Sequence, residues 1–250
     1  MGAYFASLLF ANYCQYHDTP GFNINLTDLS VSVCWAAERP QITSDLKIQL
    51  HVDTSIPHPQ ATFALVGTVS FIKAKNVRLY LLVDPEYIRC IGFEANANPP
   101  VPSMHSLPAR PSLSLCFNMV RPPALAGPYI APLVPRGKEF GVLFYDMIAL
   151  STVDKFTIYF DPVTVGAEVQ AQFALLLSLF SSALRPAPSD SYNLRRLYCG
   201  QGGWLMQLRT TVGRLSSTTI QDYVLHCSPA VDDQGSELAG GYPDNNLDSL

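Results

Sequence analysis

From Leu29 to Val83, apolar residues recur at every second position, in runs that turn-forming residues cut short. Leu29, Val31, Val33 and Trp35 alternate with small or polar neighbours, and so do Leu46, Ile48, Leu50 and Val52. A period of two places such residues on one face of an extended chain, the signature of a half-buried strand. A third strand is expected over Thr62–Ile72. Lys73-Ala74-Lys75-Asn76 reads as a hairpin turn into a fourth, Val77–Val83. Leu79, Leu81 and Val83 share one face of that fourth strand while Tyr80 and Leu82 give bulk to the other. This predicts a central strand covered on both sides.

The fourth run stops at Asp84-Pro85-Glu86. Proline has no N–H for a ladder and biases the residue before it away from helix. Asp84 is therefore expected to end the strand and cap a short helical turn, with Pro85 and Glu86 in its first positions. The two carboxylates could also do acid–base chemistry, but no His, Lys or metal-ligand cluster converges on them in sequence. Punctuation is the stronger reading.

Beyond it the pattern loosens. The chain has twenty prolines, and a proline-rich link at 98–111 is the point at which a domain would divide. Leu113–Asn118 reads as a strand rejoining the sheet, followed by the extended stretch that begins at Arg121-Pro122-Pro123. The period then changes. Phe140, Leu143, Phe144, Met147 and Ile148 form the apolar stripe of a helix, Phe140–Thr152. Val169, Phe173, Leu176, Phe180 and Leu184 form that of a second, Glu168–Leu184, halted by Arg185-Pro186. Phe156–Phe160 and Trp204–Leu208 read as further strands, with a brief helix at Tyr192–Tyr198. Alternation followed by helical periodicity predicts an α+β fold, with a sandwich-like antiparallel sheet in the first half and two main amphipathic helices packed on one side. Residues 1–22 form an ill-defined leading segment, 23–227 one domain, and 228–250 an acidic tail of disordered composition.

Charge narrows the function. The tail carries Asp232, Asp233, Glu237, Asp244 and Asp248 and no Lys or Arg, so the rest of the chain is nearly neutral despite an overall charge of −4. Such a body is no general trap for nucleic acid. The first residues lack a basic signal-peptide start, and no apolar run reaches the length of a membrane span. The expected setting is cytoplasmic or nuclear, with no membrane as partner. The six cysteines are widely spaced and form no CxxC, which fits reduced thiols without metal or disulfide.

Four segments, VRLYLLVDPEYI, LSLCFNMVRPPALAGP, PLVPRGKEFGVLFYDMIALSTVDKFTIYF and LRRLYCGQGGWLMQL, occur in that order. Over Thr62 to Leu208 they resemble a family of filamentous-fungal proteins without an assigned activity. Its pattern runs LYL..PPERI, LRF..P..LV.P, PLTPK, FTVYLP and LY.G.GG. Asp84 stands where that family has its first proline and Tyr87 where it has arginine, and the family's PPPY-like tail motif is absent. The resemblance implies a fungal origin and a shared fold, and it assigns no catalytic residue.

No GxSxG, HExxH, phosphate-loop or GxGxxG motif is present, and the five histidines are scattered. No cofactor is expected. The leading expectation is a non-enzymatic protein–protein interaction module whose proline-rich connections offer preordered segments to a protein partner. The alternative is a phosphate- or nucleic-acid-backbone-binding module. In that reading Gly200, Gly202 and Gly203 form a turn beside Arg195, Arg196 and Arg209 that cradles an anion. The competing explanation is a tight turn in which one glycine takes positive φ. A hydrolase-type enzyme with an unfamiliar site stands third.

Overall fold

The computed structural model describes residues 21–35, 41–97, 112–129, 133–181, 185–188, 194, 197–198, 203–209 and 224–229. The N-terminal segment, the 98–111 link, most of the Tyr192–Tyr198 stretch and the tail from 230 lie outside them.

The alternating runs form β1 (Asn23–Trp35), β2 (Gln41–Asp53), β3 (Gln60–Val69) and β4 (Val77–Val83), each antiparallel to the next. After them come β5 (Ile88–Ala97), β6 (Ser112–Met119), β7 (Ala124–Gly127), helix α1 (Lys138–Leu150), β8 (Lys155–Phe160) and helix α2 (Ala167–Ser181). The short β9 (Ala187–Pro188), β10 (Trp204–Arg209) and β11 (Val224–Pro229) complete the order. All belong to one sheet, ordered β11-β10-β7-β4-β3-β2-β1-β8-β6-β5, with β9 paired to β3 off that path. The strands flanking the 98–111 link, β5 and β6, are direct ladder partners.

The α+β expectation is corrected by this topology. Strands hold 52% of the structure and helices 21%, so the molecule is a sheet-dominated antiparallel β fold. The strands of the second half do not stand apart as a helix-rich layer. They join the same sheet at both of its ends, where β5 of the first half also lies, and neither β5 nor β7 was announced by alternation.

The sheet cannot be flat. Phe63 on β3 and Phe117 on β6 have ring centroids 5.5 Å apart, although β2, β1 and β8 lie between them in the ladder. Four steps across a flat sheet would separate them by roughly 19 Å, at about 4.8 Å per strand. The sheet folds back and buries one face against itself, as in a sandwich. Leu46, Gly67 and Leu79 stand in register across β2, β3 and β4 on that face, as do Leu50, Phe63 and Val83. Phe117 stacks on its register partner Phe156 at 5.0 Å.

Both helices pack on this inner face. Phe144 of α1 meets Phe71 edge-on at 5.3 Å. Gly67 makes room for the helix, since a Cβ there would lie 2.5 Å from the Met147 sulfur. Phe173 of α2 touches Phe93 of β5 and Phe160 of β8, while Phe180 touches Phe63 of β3. Thus α2 bridges from the edge strand β5 to the middle of the sheet and closes the fold. Most of the two apolar stripes read from sequence is buried, Leu143, Phe144, Met147 and Ile148 in α1 and Phe173, Leu176 and Phe180 in α2, while Phe140 and Val169 are half-buried against the core. Leu184 lies outside the described residues. Strand β4 differs from its expected role. Arg78 is exposed and Tyr80 and Leu82 are half-buried, so one face alone is fully covered. The strand buried on both faces is β3, from Ala61 to Val66.

Candidate functional site

The site is built by the punctuation at Asp84-Pro85. Val83 is the last residue of β4 to pair with β3, opposite Phe63, so Thr62 falls where Asp84 would have continued the ladder. Pro85 forbids that continuation. The chain turns instead into a single 3₁₀ turn, Pro85–Tyr87, and one Asp84 carboxylate oxygen accepts the Glu86 N–H at 2.9 Å. This is the cap expected from sequence, and it commits one oxygen of Asp84 to structure.

The overhanging start of β3 takes a different partner. Gln60 and Ala61 pair in parallel with Ala187 and Pro188 of β9, anchored by the Ala187 N–H donating to the Pro59 carbonyl at 2.9 Å. Arg185, just before β9, ties the strand to the turn, its guanidinium donating to the Ile88 and Glu86 carbonyls. On the turn's far side Arg121 lies 4.6 Å above the Tyr87 ring and donates to its hydroxyl at 3.0 Å. Two arginines thus hold a three-residue turn in place.

Between β9, the turn and the end of the β3–β4 ladder lies a cavity of about 130 Å³. Its walls are largely apolar, from Ala61, Phe63, Leu82, Val83, Pro85 and Pro188, with Thr62 and Asp84 as the polar members. Thr62 is 5% exposed, and its hydroxyl oxygen has no hydrogen-bond partner among the described residues. Leaving a buried hydroxyl unpaired costs about 1–3 kcal/mol. A group that enters the cavity with a polar atom at the right place recovers that loss.

Chemistry at this site is limited. Glu86 is exposed, Asp84 is engaged as a cap, and the described lining residues include no His, Cys or Lys. Among the described residues no group of three His, Cys, Asp or Glu side chains is placed to hold a metal ion. Cys34, Cys90 and Cys116 are free thiols, and burial pushes the Cys34 thiol up.

Of the residues singled out for anion binding, Arg195, Arg196, Gly200 and Gly202 lie outside the described residues. Gly203 is buried, and its N–H donates to the Leu194 carbonyl at 2.5 Å. A Cβ there would press on Leu194 and Leu197 at 3.2 and 3.1 Å, so close packing rather than positive φ explains this glycine. The backbone of Arg209 pairs with Val224 in the β10–β11 ladder. Just upstream, Tyr198 takes the left-handed conformation, φ 57°. Its ring packs on Tyr80 at 5.8 Å, its hydroxyl donates to the Arg78 carbonyl at 2.6 Å, and burial pushes that hydroxyl far up.

Thr62, Leu82 and Pro188 are the site residues that sequence reasoning missed. The available signal was the register: a strand starting at Gln60 beside one that must stop at Asp84 leaves an overhang. No known protein family, curated protein or solved structure matches the chain.

Proposed function

We propose that this chain is a non-enzymatic protein–protein interaction module that receives one apolar side chain of a partner segment in the cavity at the β3–β4 ladder end. Cavity size carries the reading. Sites for small-molecule substrates and cofactors run to about 300–1,000 Å³, whereas about 130 Å³ suits a single side chain. The Thr62 hydroxyl adds a polar test, because a carbonyl or amide of the seated segment would satisfy it. Pro188, exposed at the cavity's edge, extends the surface on which that segment would lie. A cytoplasmic or nuclear protein partner is the reading that the nearly neutral body supports.

The experiment is a displayed random-peptide library panned on the full chain, with selected peptides measured by calorimetry. Peptides sharing one apolar anchor are expected. Leu82→Trp, which fills the cavity from a half-buried position, should weaken them at least about ten-fold, and Thr62→Val several-fold. Selected peptides that bind wild type and Leu82→Trp equally would place recognition elsewhere and end the proposal.

A further inference from the structure

Just past β3 the chain makes an isolated antiparallel bridge, Phe71 with Pro135. The Ile72 N–H donates to the Val134 carbonyl at 3.0 Å, and the Arg136 N–H to the Ser70 carbonyl at 2.7 Å. Phe71 turns inward onto Phe144, so its neighbour Ile72 stands opposite Val134 on the outward face. Both are exposed, Ile72 at 68% and Val134 at 43%. Nothing in the core requires two aliphatic side chains here.

Their surroundings are basic. Lys73 and Lys75 occupy the turn, and Arg136 and Lys138 follow Val134 on the other segment, all four exposed. Three of the chain's five lysines are gathered here. Over 70–76 and 133–139 the sole acid is Glu139. The support is firm. The Phe71 N–H closes the turn onto the Ala74 carbonyl at 2.7 Å, and Asn76 sits at φ 52° with its N–H on the Ser70 hydroxyl at 3.2 Å.

We infer that this tip, Ile72 and Val134 ringed by Lys73, Lys75, Arg136 and Lys138, is a peripheral docking site for an anionic lipid surface. Aliphatic side chains projecting from a rigid turn enter the boundary between headgroups and acyl chains, while flanking cations meet acidic headgroups. A protein partner fits less well, because protein interfaces are depleted in lysine and anchored by Trp, Tyr and Arg. Nucleic acid fits less well too, since the tip offers no aromatic ring for base stacking and its aliphatics have no counterpart on a phosphate backbone. The overall charge of −4 does not oppose docking, because charges beyond roughly 10 Å are screened at about 0.1 M salt. No described helix is long and apolar enough to cross a membrane. The expectation that no membrane is a partner rested on that missing span, which surface attachment does not need. The inference is independent of the β3-end cavity.

The test is co-sedimentation of the full chain with phosphatidylcholine vesicles containing about 30% phosphatidylserine or none, at about 0.1 M and about 0.5 M salt. Binding is expected to the acidic vesicles alone, and it should fade at high salt. Lys75→Gln, Arg136→Gln and Lys138→Gln should each weaken it about five-fold. Ile72→Ser with Val134→Ser should weaken it at unchanged charge, and the melting temperature of each variant confirms that it folds. Failure to bind acidic vesicles at low salt overturns the inference. So does indifference to both sets of substitutions, or capture by the tip of a Glu-rich peptide when acidic vesicles do not bind.

Discussion

Asp146 gives the sharpest stability prediction. It lies on α1 where the helix crosses β2, half-withdrawn from water, with the Thr43 hydroxyl donating to it and Asp45 nearby. Burial, joined by repulsion from Asp45, raises its carboxyl to about 6 from an ordinary 3.8, against the hydrogen bond from Thr43. Burial disfavours the charged form, so the folded protein holds this proton more tightly than the unfolded chain does. Between about pH 4 and pH 6 the native state therefore binds more protons, and stability falls as pH rises through that interval and levels off above it. At ~1.4 kcal/mol per pH unit the raw difference is about 3 kcal/mol. The carboxyl is only half-buried, and solvent screening reduces this to about 1–2 kcal/mol.

Asp146→Asn keeps an oxygen for the Thr43 hydroxyl and removes the charge. Urea unfolding of wild type and variant from about pH 4 to about pH 8 isolates the effect. The difference between the two proteins is the informative quantity, because other carboxylates work in the opposite direction. Asp53, for example, is held below its ordinary value by hydrogen bonds from Ser55. Wild type and variant should be close at the acid end, and the variant should be more stable by about 1–2 kcal/mol at neutral pH. A constant difference across the range, or a variant less stable at neutral pH, would refute the reasoning.

Two packing predictions accompany it. Phe173→Ala removes a fully buried ring from between Phe93 and Phe160 and should cost about 3–5 kcal/mol; an unchanged melting temperature would contradict the closing role of α2. Gly67→Ala should cost about 1–3 kcal/mol by pressing on Met147. In the Met147→Ala background that cost should largely vanish, and additive losses in the double variant would mean that the helix is held off β3 by some other contact.

Much of the fold could be read from sequence wherever a residue's environment is set by its near neighbours. The alternation of Leu46, Ile48, Leu50 and Val52 marks a strand because the sheet buries one face, and the stripe of Phe144, Met147 and Ile148 marks a helix for the corresponding reason. Strand β5 escaped because its burial does not alternate. Its pairing with β6 is irregular between Ile88 and Cys90 and again between Glu94 and Ala97. Strand β7 escaped because Ala124-Leu125-Ala126-Gly127 has almost no side-chain volume with which to show a period. The α+β expectation failed for a different reason. Whether late strands form a layer of their own or extend an early sheet is decided by contacts such as Phe63 with Phe117, which no local window contains.

The candidate site shows the same division at the scale of one residue. Thr62 and Thr68 both lie on the outward face of β3, where alternation assigns polar residues to solvent, and Thr68 is indeed exposed. Thr62 is buried, as are Ala64 and Val66 on the same face, and its end of the strand is the one flanked by β9 and the Asp84 turn. Asp84-Pro85, by contrast, was legible, since a proline stops a strand by its own chemistry. That chemistry joins two readings which from sequence alone looked exclusive, a strand end and a functional feature. Because Pro85 halts β4 opposite Phe63, β3 is left with an unpaired start. Because β9 supplies two residues to that start, a gap stays open beside Thr62. The punctuation is the origin of the cavity. A substitution that lets β4 run on, such as Pro85→Val, should therefore change the cavity before it changes the core.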